Sequence, residues 1–219
     1  MPQPFTELTA VAAVLLRDNI DTDAIIPSRE IRAVAKTGLA DGLFANWRYL
    51  PGEGRTPDPG FALNDPEFRG ARILIAGENF GCGSSREQAV WALAEYGFRA
   101  LLTPSFSPIF QRNCVRNGVL PACLARHAIA QLAEWVSADP QRHRPSVSLV
   151  TQRVAAGARS WPFEIAADAR EALLSGLGEI EQTLRFNDRI AAFQAADRLR
   201  RPWAYDLGPA TPGSHRESE

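Results

Sequence analysis

Cysteine is scarce in this chain: three occur among 219 residues, at positions 82, 114 and 123, with no CxxC pair and no disulfide framework. That excludes a small disulfide-stapled scaffold and favours a reducing compartment, so a cytoplasmic location is expected. Neither sign of charge is in excess, since 24 Lys and Arg against 25 Asp and Glu leave a formal net charge of -1. This balance suggests neither nucleic acid nor a charged membrane surface as a partner. The chain shows no apolar run of membrane-spanning length, no signal peptide and no internal repeat. The histidines at 127, 143 and 215 are scattered without ligand spacing and are expected at the surface. A chain of 219 residues suits one domain of ordinary size, able to bury roughly 70% of its unfolded surface.

Between Gly77 and Ala89 the chain reads GENFGCGSSREQA. Before it, Ala71 to Ala76 is a short, mostly apolar run between Gly70 and Gly77, which predicts a buried strand. After it, Glu87 to Tyr96 has helical composition, and Gly97 stands where a C-cap glycine belongs. The glycines and serines therefore lie on a turn from the carboxyl end of a strand to the amino end of a helix, where open α/β sheets place ligands. Gly81 and Gly83 permit positive φ or a close approach of backbone to ligand. Ser84 or Ser85 is expected to cap the helix, with Glu87 or Gln88 reaching back. Free amides and the helix dipole at that end favour an anion, and Arg86 adds a planar fork for a carboxylate or phosphate. A well-capped helix with a solvated Arg86 accounts for the same spacing equally well. The dinucleotide fingerprint is broken because Arg86 takes the place of its third glycine, and neither a Walker A loop nor a nucleophile elbow fits.

Upstream, Leu8 to Leu16 reads as a strand or as core packing, followed by turn chemistry from Arg17 to Asp23. Asp18, Asp21 and Asp23 invite a calcium loop, but the EF-hand glycine and closing glutamate are missing, and Asx-type turns account for them better. Leu50 to Pro66 is rich in Pro, Gly and Asp and is expected to be an exposed excursion within one domain. Past the central helix, Phe98 to Thr103 predicts a strand, Ile109 to Asn117 a helix ended by Gly118, and Val119 to Leu124 another strand. This βαβαβ order implies a parallel sheet with helices packed on it. A helix over Ala128 to Ala138 precedes a late pair of strands, Val147 to Val150 and Trp161 to Ile165, around the small-residue turn Ala155 to Gly157. Ala169 to Leu174 starts a helix and Asp188 to Arg200 forms the last one, while residues 204–219 have the composition of a disordered tail.

GENFGCGSSREQA resembles the active-site signature of the aconitase-family swivel domains, most closely that of the 3-isopropylmalate dehydratase small subunits. The stretch Asn19-Ile-Asp-Thr-Asp-Ala-Ile-Ile-Pro27 is similar to their NxDTDxIIP segment. Lys36-Thr-Gly-Leu39, Gly42-Leu-Phe44, Trp47-Arg-Tyr49 and Asn117-Gly-Val-Leu-Pro121 match in the same order, so the resemblance runs from about Phe5 to Trp203. It implies an α/β fold, a swivelling β/β/α three-layer domain with a parallel βαβ core, over residues 1–203. It also implies a hydro-lyase of leucine biosynthesis, active only with a separate large subunit in a heterodimer or heterotetramer. The implied reaction converts the dicarboxylate 2-isopropylmalate to 3-isopropylmalate through isopropylmaleate.

In that resemblance Ser84 matches the serine that, as an alkoxide, removes the proton α to a carboxylate. Arg86 matches the arginine that holds a substrate carboxylate. Ser85, Gly83, Thr22 and Asp23 fall on the substrate-binding segments, with Asp23 orienting other groups rather than reacting. No metal ligand and no bound cofactor is expected in this chain. The cysteine separations of 32 and 9 residues resemble no usual cluster spacing, and the resemblance places a [4Fe-4S] cluster, with its open Lewis-acid iron, in the large subunit. Cys114 and Cys123 are expected as buried small hydrophobes, and Cys82 as a loop residue that is not a ligand. The chain departs from its relatives at Glu30-Ile31-Arg32, where they carry an apolar pair and then a basic residue; Arg32 either serves a more acidic substrate arm or is simply solvated. Gln88 replaces a usual histidine, for which tuning rather than loss of activity is expected. Citramalate, dimethylmalate or a homologous di- or tricarboxylate are the alternative substrates. A non-catalytic anion-binding module and a dinucleotide-binding oxidoreductase are the alternatives from other classes.

Overall fold

The apolar run at Leu8 to Leu16 divides into two strands, β1 (Glu7–Thr9) and β2 (Ala12–Leu15), which enter different sheets. The computed structural model describes residues 3–31, 36–52 and 54–205. β2 pairs in parallel with β3 (Ile73–Ala76), β3 with β4 (Ala100–Thr103), and β4 with β5 (Leu120–Cys123), so the four strands stand in chain order. β1 instead pairs antiparallel with β6 (Ser146–Ser148), which continues through β7 (Arg153–Ala156) to β8 (Arg159–Pro162). The expected late pair of strands is thus a three-stranded meander. Its last hairpin turns at Gly157, whose φ of +57° is one that side-chain-bearing residues rarely adopt.

The helices are α1 (Thr22–Ile25), α2 (Ala45–Arg48), α3 (Glu87–Tyr96), α4 (Pro108–Arg116), α5 (Arg126–Ala138), α6 (Ala167–Ser175), α7 (Glu179–Leu184) and α8 (Asn187–Arg200). Alternation along the parallel strands sorts the core into two halves. Leu74, Ala76 and Leu101 face a cluster with Ala89, Val90 and Leu93 of α3 and Phe110 and Cys114 of α4. Ile73, Ile75, Ala100 and Leu102 face the other way, toward Ile129, Leu132 and Val136 of α5 and toward Val147, Val154 and Trp161 of the antiparallel sheet. The result is the α/β architecture expected, with a parallel βαβ core between helices on one face and a helix plus a second sheet on the other. Each fully buried Leu, Ile or Phe contributes about 1.5–3 kcal/mol by leaving water.

The connection from β2 to β3 carries α1, α2 and several single 3-10 turns. Leu50 to Gly60 is exposed at almost every described position, as its composition suggests, but the stretch is anchored at its far end. Tyr49 bridges Pro57, and Phe61 and Leu63 are buried against the core. Two apolar anchors thus tie the Pro- and Gly-rich stretch down. Another restraint comes from α3: the Glu95 carboxylate accepts backbone N–H groups of Gly38, Leu39 and Ala40 at 2.6, 2.5 and 2.9 Å. Burial pushes that carboxyl up, but the three N–H donors together outweigh it and hold it below the ordinary glutamate range. A folded-state pKa below the unfolded one gives stability that is present above the ordinary value and is lost as pH falls through the folded value. Glu95→Gln is therefore expected to lower the Tm at pH 7 by about 2 °C, with the gap to wild type closing in acid. Melting curves across pH 3–7 check this, and a gap independent of pH would refute it.

The described chain divides after Gly178 into two compact units. The second holds α7 and α8 and ends in a local network, where Asp197 accepts from Arg201 at 2.8 and 2.6 Å and from the Tyr205 hydroxyl at 2.9 Å.

Candidate active site

The turn after β3 is held as an irregular continuation of the parallel sheet. On one side Asn19 N–H donates to Glu78 O (2.9 Å), Gly81 N–H to Ile20 O (2.7 Å) and Thr22 N–H to Cys82 O (3.0 Å). On the other side Phe80 N–H donates to Ser105 O (3.1 Å) and Ser107 N–H to Phe80 O (3.0 Å). Residues 78–82 therefore run between two neighbours although no regular strand extends past Ala76. Paired backbone groups of this kind hold a loop in one conformation, as a site built on rigid elements requires.

Two glycines make this passage possible. Gly77 lies against Arg17, and a Cβ there would stand 2.3 Å from the Arg17 carbonyl oxygen. Gly81 has φ +75° and lies on the Phe110 ring, where a Cβ would meet the ring at 2.1 Å. Asn19 and Asn79 both adopt the left-handed conformation, at φ 57° and 54°, and the Asn79 side-chain amide donates to Asn19 Oδ1 at 2.8 Å. Asparagine tolerates that conformation better than most residues, and two such residues facing each other mark a constrained junction.

The three aspartates of the upstream segment serve three separate partners. Asp18 accepts from Glu78 N–H at 2.8 Å and meets Arg126, which also pairs with Glu78. Asp21 caps α1, accepting from Ala24 N–H at 2.7 Å. Asp23 pairs with Nη1 of Arg86. No group of three or more ligand-type side chains converges on a point among the described residues, and Asp18 and Asp21 each accept a backbone N–H, as turn and cap residues do.

Gly83, Ser84 and Ser85 are exposed, and the Arg86 side chain is 25% exposed. The buried Thr22 hydroxyl donates to the Ser84 carbonyl at 3.2 Å, and Gly83 faces Asp21 and Thr22. The structure thus brings Asp23, Gly83, Ser84, Ser85 and Arg86 to one surface, with Thr22 buried beneath the Ser84 carbonyl. Arg32 lies outside the described residues. The capping box expected at α3 does not form. The N-cap position falls on Arg86, no side chain caps it, and Glu87 instead accepts from the Asn117 amide at 2.8 Å. Asn117 Oδ1 in turn accepts from the Trp91 indole N–H at 3.1 Å. Glu87 is drawn sideways across the sheet toward the end of α4, which leaves the first turn of α3 uncapped by side chains at the serine loop. An uncapped helix start of positive partial charge, beside a guanidinium, suits a carboxylate or a developing anion.

Cys114 is fully buried, and burial pushes its thiol well above the ordinary range; the half-buried Cys123 is raised by burial and by Glu164. Neither joins a group of three or more ligand-type side chains among the described residues. His143 departs from the surface expectation, because its ring stacks on Trp135 at 4.5 Å and its Nδ1 lies 2.5 Å from the Trp135 carbonyl. Sequence reasoning missed Phe110 beneath Gly81, the Asn19–Asn79 pair and the Glu95 carboxylate on residues 38–40. Asn19 and Asn79 carried a signal only through their places in the two matched segments, at 19–27 and 77–89.

A parallel sheet whose carboxyl edge carries a serine-arginine turn facing a DTD segment is the arrangement of aconitase-type swivel domains. The aconitase C-terminal domain model matches residues 2–127. A 3-isopropylmalate dehydratase small subunit of Cupriavidus necator is 55% identical over 205 residues, spanning 93% of this chain and 98% of the relative. One from Methylibium petroleiphilum is 44% identical over 209 residues, spanning 92% and 96%. A crystal structure of 3-isopropylmalate dehydratase from Methanocaldococcus jannaschii superposes with a TM-score of 0.60 at 25% identity, covering 86% of this chain and 99% of that one. The chain belongs to the aconitase C-terminal domain family, and within it to the 3-isopropylmalate dehydratase small subunits.

Proposed function

We propose that this chain is the serine-bearing half of a hydro-lyase that interconverts 2-isopropylmalate and 3-isopropylmalate through isopropylmaleate, completed by a large subunit. The observation that carries this is the exposed Gly83–Arg86 turn at an uncapped helix start, with Arg86 already oriented by Asp23. Elimination removes a proton from the carbon α to one carboxylate and hydroxide from the neighbouring carbon; rehydration in the opposite sense gives the isomer. Ser84 is the base that takes the proton. A serine hydroxyl is far too weakly acidic for this in water, so its surroundings must favour the alkoxide, and the amides of α3 and Arg86 supply that field. Arg86 holds a substrate carboxylate. Asp23 engages Nη1, and the remaining N–H groups of the fork are donors for a bidentate carboxylate. Thr22 fixes the Ser84 backbone, while Ser85 and Gly83 line the same turn.

The resemblance assigns the [4Fe-4S] cluster to the large subunit, and what supports this is that the cysteines of this chain join no group of three or more ligand-type side chains among the described residues. The exposure of Ser84 agrees with a site whose other wall comes from that partner, which also excludes water. No helix among the described residues is long and apolar enough to cross a membrane, and the three cysteines are free, which supports a cytoplasmic enzyme. The test is reconstitution with the large subunit of the same organism under anaerobic conditions, following the ene-diacid absorbance. Turnover of isopropylmalate is expected, with neither subunit active alone. Turnover of only citramalate or dimethylmalate would move the substrate assignment, and silence on all of them with a stable complex and an intact cluster would overturn it.

A further inference from the structure

The Glu30 side chain is only 11% exposed. Its carboxylate is committed within the chain: Oε2 pairs with Nη2 of Arg55, and Oε1 lies 3.5 Å from Nε of Arg29. Arg55 is held further by donating to the Asp41 carbonyl at 2.6 Å and by standing 5.2 Å over the Tyr49 ring. Gly42 leaves room for this arrangement, since a Cβ there would come within 2.7 Å of the Glu30 Cβ. Ile31, the next residue, packs against the core. Four separate segments, at 28–31, 40–42, 49 and 55, therefore meet at one ion pair. The 3-10 turn Ser28–Glu30 follows α1 after only the buried pair Ile26 and Pro27, and α1 carries Thr22 and Asp23 to the site. The end of α1 is tied to the same neighbourhood through the Phe44 N–H, which donates to Ile25 O at 2.7 Å.

We infer that Glu30 and Arg55 are positioning residues: their ion pair latches the turn after α1 onto the 40–42 and 49–57 loops and so fixes Asp23, and through it Arg86, for substrate carboxylate binding. The inference rests on the proposed function for its link to substrate. Glu30 itself does not meet the substrate arm. An ion pair whose Arg55 side remains partly in solvent adds little to global stability, so its effect is local.

Two measurements on Arg55→Met and Glu30→Gln test this. In the reconstituted enzyme each variant is expected to raise KM for isopropylmalate about fivefold while kcat stays within about twofold, because ground-state and transition-state binding weaken together. Arg55→Lys, which keeps the charge but not the fork, is expected to fall between. In the free chain, the Glu30 and Ile31 amides, which bond to Pro27 O and Ser28 O, are expected to exchange about tenfold faster in Arg55→Met, with the β3 and β4 amides unchanged. Unchanged exchange would overturn the latch. Faster exchange with unchanged KM would overturn its service to the site. If wild type turns over no isopropylmalate, the proposed function fails on that result alone, and amide exchange still decides whether the latch exists.

Discussion

Replacing Ser84 with alanine is expected to lower kcat of the reconstituted enzyme by at least about 10³-fold, equivalent to about 4 kcal/mol of lost transition-state stabilisation. The same change should leave folding and partner binding intact. Ser84 is exposed, and its contact with Thr22 runs through its carbonyl, which alanine retains. The loop is fixed by backbone pairing with residues 20–22 and 105–107, none of which depends on the serine hydroxyl. The loss should appear in kcat, with KM for isopropylmalate changed by no more than about threefold, because Arg86 still holds the carboxylate. Steady-state kinetics, set beside thermal melting of the free subunit, check both halves. Residual activity above about a tenth of wild type would remove Ser84 as the base.

Gly81→Ala is expected to have the largest effect on stability. The new methyl group would fall 2.1 Å from the Phe110 ring, and φ of +75° adds the left-handed penalty of about 1–2 kcal/mol. Phe110 cannot step aside freely, because it packs edge-on against Phe80 at 5.5 Å and stacks with Phe106 at 6.5 Å. Overpacking of this kind costs about 1–3 kcal/mol more. Together these predict a loss of about 2–5 kcal/mol and a fall in Tm of roughly 10 °C. A variant melting within about 3 °C of wild type would show that the loop yields instead. Gly83→Ala offers the contrast, since its nearest neighbour is at 3.4 Å and only the conformational penalty applies.

The elements legible in the sequence were those specified by local chemistry. Glu87 to Tyr96 is helical over the stretch read from its composition, and Gly97 ends it at φ 122°. The parallel strands matched because buried β-branched and leucine runs between glycines have few other uses in an α/β chain. The misreadings come from places where a distant partner decides. Leu8 to Leu16 carries one continuous apolar signal, yet its halves belong to different sheets, because β1 finds its partner in β6, 139 residues away for the Glu7–Ser146 contact. The capping box failed because Asn117, at the end of another helix, takes Glu87 away from the role its spacing assigns. Nothing in the sequence links Glu30 to Arg55, 25 residues further on, although the two form an ion pair. Ser84, Arg86 and Asp23 were legible as a group only through the two matched segments, since neither composition nor periodicity links residue 23 to residue 86.

The chain order of the four parallel strands has its own consequence. α3 and α4 lie on the same face, so the sheet never reverses its winding, and no natural cleft opens between helices diverging to opposite sides. Among the described residues, a ligand at this carboxyl edge meets a floor without an opposite wall. Capture of substrate and expulsion of water then become properties of assembly, governed by mass action between two polypeptides. Dilution of either one withdraws catalysis as surely as a mutation, and a surplus copy of this subunit, lacking its wall, stays chemically idle.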